Sequence, residues 1–82
     1  MPRYYIHTNN GDTADTDAEG HLLPDAKSAR DAAMKAFPDM ARDVLPDRDH
    51  RTFLVAVENE LGEVIYEAKM ELTGAWCVLS PV

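Results

Sequence analysis

Residues 25–45 read DAKSARDAAMKAFPDMARDVL, the one segment long and periodic enough to be a helix, and its reading decides the fold. Ala26, Ala29, Ala33, Phe37, Met40 and Val44 follow one another at steps of three or four, which lines them up as one apolar stripe on a 3.6-residue helix. Such a stripe needs an apolar surface to lie on. Asp25 is the expected N-cap, its carboxylate placed to accept from the free N–H groups of the first turn, with Pro24 outside and Leu45-Pro46 closing the other end. Asp31 with Lys35, and Asp39 with Arg42, have the spacing of ion pairs on a solvated face. Pro38 interrupts the pattern. It lacks an N–H and its ring collides with the carbonyl four residues back, so a kink or break is expected near it.

Outward from the helix, the flanking segments read as strands. Before it, Arg3–Thr8 (RYYIHT) is aromatic and β-branched and stops at the turn sequence Asn9-Asn10-Gly11-Asp12. Alternation puts Tyr4, Ile6 and Thr8 on the face toward the helix and Arg3, Tyr5 and His7 on the other. Thr13–Asp17, between two turn signals, is expected as a short edge strand. After the helix and the polar loop 46–50, Thr52–Glu58 (TFLVAVE) is the clearest strand, with Phe53, Val55 and Val57 on one face. Asn59–Glu63 is a hairpin loop in which Gly62 supplies a positive φ. The returning strand, Val64–Leu72, alternates so that Val64, Tyr66, Ala68, Met70 and Leu72 face inward.

The expectation is an α+β domain over residues 1–72: a two-layer β-β-α-β-β arrangement, its four-stranded antiparallel sheet carrying one helix, kinked near Pro38, on one face. Residues 73–82 (TGAWCVLSPV) form an apolar tail with Trp76, Val78 and Leu79, able to fold back, add a strand or meet another chain.

Composition bounds the function. Eighty-two residues support one two-layer core. With 15 acidic against 8 basic side chains the net charge is −7, which opposes attraction to nucleic acid and to anionic lipid. The lone Cys77 rules out an intrachain disulfide and any multi-cysteine zinc site and suits a reducing cytoplasm. Met1-Pro2-Arg3 runs into a strand-like segment with no apolar signal region, and no apolar run reaches membrane-spanning length. A cytoplasmic protein with no membrane and no nucleic-acid partner is the expectation.

Met1-Pro2-Arg3-Tyr4-Tyr5 with His7, then Asp17, Glu19-Gly20, Leu23-Pro24-Asp25 and Ala29-Arg30, resemble a family of small uncharacterised alphaproteobacterial proteins. These open M-P-R-Y-[YF]-F-H and carry D-x-E-G-x-x-L-P-D ahead of a helix. The resemblance runs from Met1 to Leu72. The chain departs from the pattern at Ile6 (usually Phe), at Pro38 and in its apolar tail. What the resemblance implies is a domain of unknown function, with no activity attached.

Two constellations invite chemistry. Asp15, Asp17 and Glu19, followed by Gly20 and Leu22, imitate the start of a calcium-binding EF-hand loop, but Ala26 stands where the bidentate Glu belongs and no helix precedes. Arg3, Tyr5 and His7, with Leu54, Ala56 and Ile65, share the face away from the helix, where a basic and aromatic strand could stack bases. The charge of −7, with Glu67 and Glu71 on that face, argues instead for a protein contact. His7, His21 and His50 match no metal-ligand spacing, and nothing places a base beside Cys77, so neither a cofactor nor an enzyme is expected. The leading expectation is a non-enzymatic module that binds a protein partner or itself, as a homodimer, through Arg3, Tyr5, His7, Leu54 and Ile65 on the open face, through a sheet edge, or through Trp76 in the tail. The alternative is a small-ligand or calcium-binding protein using the acidic 12–19 loop and His7.

Overall fold

The structure, a computed structural model, describes residues 1–44 and 49–77. Among them lie five strands, β1 (Arg3–Asn9), β2 (Ala14–Asp15), β3 (His21–Leu22), β4 (His50–Glu58) and β5 (Val64–Thr73), and two helices, α1 (Ala26–Met34) and α2 (Ala36–Val44). The fold is α+β, with an antiparallel sheet of order β2-β1-β4-β5 and β3 as a further partner of β1. β4 is central. It pairs with β1 from Tyr5↔Glu58 to Asn9↔Leu54, and with β5 from His50↔Thr73 to Glu58↔Val64.

The core is the side of the sheet that the helical layer covers. Phe53, Val55 and Val57 of β4 are buried with Tyr4 of β1 and with Ala29, Ala33 and Phe37 of the helices. Ile6, Met40, Tyr66, Ala68 and Met70 pack around them. Removing Phe53 from water contributes on the order of 1.5–3 kcal/mol, and small Ala29 and Ala33 let α1 lie close against it. Of the expected stripe, Ala26 is exposed, because it occupies the first turn before the helix reaches the sheet. The side chain of Val44, the Leu45-Pro46 stop and the tail residues Val78 and Leu79 lie outside the described residues.

Asp25 caps α1 as its sequence position requires: its Oδ1 accepts the Ser28 N–H at 2.8 Å. That bond, and a second from the Ser28 hydroxyl, hold its carboxyl below the usual aspartate range. The helical layer is broken rather than kinked, and the break falls at Lys35, three residues ahead of Pro38. Pro38 has no N–H to give the Met34 carbonyl four residues back, and its ring would strike that oxygen. α1 therefore ends at Met34, with the Lys35 N–H closing onto Ala32 O at 3.3 Å. Pro38 then occupies the first turn of α2, where a missing N–H costs no bond. The break also changes the surface pairing. Asp31 meets Lys27 at 2.9 Å and Arg30 at 3.1 Å, in place of the expected Lys35, which caps the end of α1. Asp39 and Arg42 pair at 3.6 Å as their spacing suggests.

Two further departures come from the sheet. A bulge between Val57 and Glu58 shifts the β4–β5 register, so Val64 is half exposed instead of facing inward. Arg51 faces the core side of β4 and is buried; its Nε donates to Asn10 O at 2.6 Å and its Nη2 meets Asp12 Oδ2 at 3.0 Å. The buried cation thus ties the central strand to the β1–β2 turn through its Nε and Nη2 donors.

Candidate functional site

β1 has two sides, and the segment from Ala14 to Leu22 runs antiparallel along the one that β4 leaves free. It pairs at Thr8↔Asp15 and Asn9↔Ala14, leaves the strand, and returns at Tyr4↔His21 and Arg3↔Leu22. Asp17 fills the gap. Its Oδ2 accepts the Ile6 N–H at 3.1 Å, its Oδ1 accepts the Gly20 N–H at 2.9 Å, and His21 Nε2 lies 3.2 Å from Oδ2. Partial burial works against the charged form, but the N–H groups of Gly20 and Ile6 and the nearby His21 outweigh it and hold the carboxyl below the usual aspartate value. His7 Nδ1 accepts the Asp17 N–H at 3.1 Å, which places the ring proton on Nε2, facing Glu58 Oε2 at 3.4 Å. Gly20 turns with φ +75°, and a side chain there would meet Arg3 and Tyr5.

Two of the basic residues expected on the open face also engage the neighbouring loop. Arg3 donates to Glu19 O at 2.8 Å, and His7 is engaged by Asp17, so the basic end of β1 braces the 16–20 loop. Of the acidic set, Asp17 spends its oxygens on backbone N–H groups, while Asp15 belongs to β2. Among the described residues no group of three or more His, Cys, Asp or Glu side chains is gathered as a metal would require. Cys77 is exposed, its Sγ 3.9 Å from Ala75 O.

Among the described residues, no helix covers the sheet side opposite α1 and α2. His7, Asn9, Ala14, Leu54, Ala56, Glu67 and Lys69 line a shallow depression of about 430 Å³ there. Leu54, in its lining, and Ile65, outside it, are 42% and 41% exposed. Leu54 pairs with Lys69, four residues along β5 from Ile65, which sets them about 13 Å apart. Trp76, 71% exposed, follows the opposite end of β5 and joins neither. β5 itself is the last strand of the sheet: among the described residues no strand pairs with its outer side. Sequence periodicity places the exposed residues on the right face, but Asp17 as a substitute for strand backbone and Arg51 as a buried anchor carry no local signal. No described helix is long and apolar enough to cross a membrane.

Residues 3–71 match the model of a family described as a domain of unknown function (DUF6894). No curated protein and no solved structure matches the chain.

Proposed function

Since the chain belongs to that family, which attaches no activity to it, we propose from the surface alone that it is a non-enzymatic, self-associating module acting in the cytoplasm, its partner being a second copy. The observation that carries this reading is the one-sided cover of the sheet: helices bury one side, leaving Leu54 and Ile65 exposed on the other and β5 without an outer neighbour among the described residues. Exposed apolar groups on a sheet face and an unpaired strand edge are both relieved by contact with another chain. The net charge of −7 favours neither nucleic acid nor anionic membrane as that chain's competitor.

Light scattering coupled to size-exclusion chromatography, across a concentration series, tests it. A species of twice the chain mass whose fraction rises with concentration is the expected result. A monomer at every concentration refutes it.

A further inference from the structure

The hydrogen-bonding sense of the whole sheet follows from one bond. Ile6 gives its N–H to Asp17, on the side of β1 away from β4. Backbone groups alternate sides along a strand, so Tyr5, His7 and Asn9 bond to β4, and β4 meets them through Leu54, Ala56 and Glu58. Arg51, Phe53, Val55 and Val57 then bond to β5, whose Tyr66, Ala68, Met70 and Leu72 answer them. Among the described residues no strand takes up the N–H and C=O groups that Glu67, Lys69, Glu71 and Thr73 present at the outer edge.

From this pattern we propose that β5 pairs antiparallel with β5 of a second copy, about a two-fold axis at Met70. This rests on the self-association proposed above and names its surface. The charges select the register. Centring the pair on Lys69 sets lysine against lysine and Glu67 against Glu71, and centring it on Glu67 sets glutamates together; like charges directly opposite destabilise a ladder. Only Ala68 and Met70 centres put Lys69 opposite a glutamate of β5. The Ala68 centre needs Ile65 as a ladder member, and Ile65 lies at the bulge. The Met70 centre uses the four outward-facing residues and nothing else: Lys69 opposite Glu71, Glu67 opposite Thr73, and the two symmetry equivalents. Lys69 and Glu71 are solvent-accessible, with side chains 58% and 55% exposed, so both are free to exchange their present 2.9 Å contact for one across the axis. The same register carries Trp76 to the level of the other copy's Val64, bringing together two of the most exposed apolar side chains of β5 and its extension.

The test is a charge swap read by sedimentation equilibrium on the full chain. Lys69→Glu is expected to weaken the dimer at least about fivefold, because two symmetric pairs turn from opposite to like charge. Glu71→Lys is expected to do the same, and the double variant Lys69→Glu/Glu71→Lys to restore native affinity. Circular dichroism of each variant, with both sites on the surface, checks that the fold is kept. A dimer unaffected by Lys69→Glu overturns the β5 edge while leaving self-association standing. Restoration by Glu67→Lys with Lys69→Glu, but not by Glu71→Lys, overturns the Met70 register in favour of Ala68. A native chain that is monomeric throughout overturns both this inference and the one beneath it.

Discussion

The Asp17 carboxylate accepts the backbone N–H of Ile6 at 3.1 Å, standing in the ladder where neither β2 nor β3 supplies a carbonyl. A side chain thereby completes a sheet edge that the backbone leaves open for the length of a loop.

Asp17→Asn tests how much that substitution is worth. The amide keeps one accepting oxygen, so either the Ile6 or the Gly20 N–H loses its acceptor, and a loss of about 1–3 kcal/mol is expected in urea unfolding. The pH dependence follows from the lowered carboxyl. The unfolded chain takes up the proton more readily, so the contribution is complete above the ordinary aspartate value of about 3.9 and is lost as pH falls through the lower folded value. Urea midpoints measured from pH 6 down to about 2.5 fall less steeply in Asp17→Asn than in the native chain.

Arg51 supplies the second prediction. Its side chain is 6% exposed, and Arg51→Met leaves the Asn10 carbonyl without that donor, with an expected loss of about 1–3 kcal/mol. Asp12→Asn costs less, because the Asp12 side chain is 49% exposed and water reaches it. Equal losses in the two variants, by denaturant titration, would contradict the assignment of Arg51 as the buried anchor of the β1–β2 turn.

Pro38→Ala distinguishes a proline at a helix start from one in a helix interior. In an interior, relief of the clash and recovery of a bond would stabilise by about 3 kcal/mol. In the first turn of α2 the change is expected to stay within about 1 kcal/mol, since no bond is missing and proline's fixed φ already suits the position. Chemical denaturation separates the two outcomes.

The sheet and its core were largely legible in the sequence, because strict alternation in Phe53-Val55-Val57 and the three-four spacing of Ala29, Ala33 and Phe37 leave each element a single way to bury its apolar side. The open face carrying Leu54 and Ile65 followed from the same alternation. What escaped depends on contacts distant in the chain. β3 is two residues long and is held beside β1 by Asp17, ten positions beyond His7 and eleven beyond Ile6. Arg51 falls between the expected loop 46–50 and the strand Thr52–Glu58, and only the β1–β2 turn closing over it buries it, while Val64 reads as inward until a bulge turns it out. Pro38 announced a break, but the position was set by the carbonyl it obstructs at Met34, not by the proline itself.

The two-residue strands β2 and β3 give the sheet unequal borders. Among the described residues no ladder longer than two residues is on offer along their outer side before the 16–20 loop intervenes, whereas β5 runs unbroken from Tyr66, past its bulge, to Thr73. If β5 pairs as proposed, stacking of copies edge to edge has a first step and no second: the borders left among the described residues are too short to template another strand. On the proposed β5 pairing the assembly closes at two copies, because a loop and a carboxylate interrupt the opposite border.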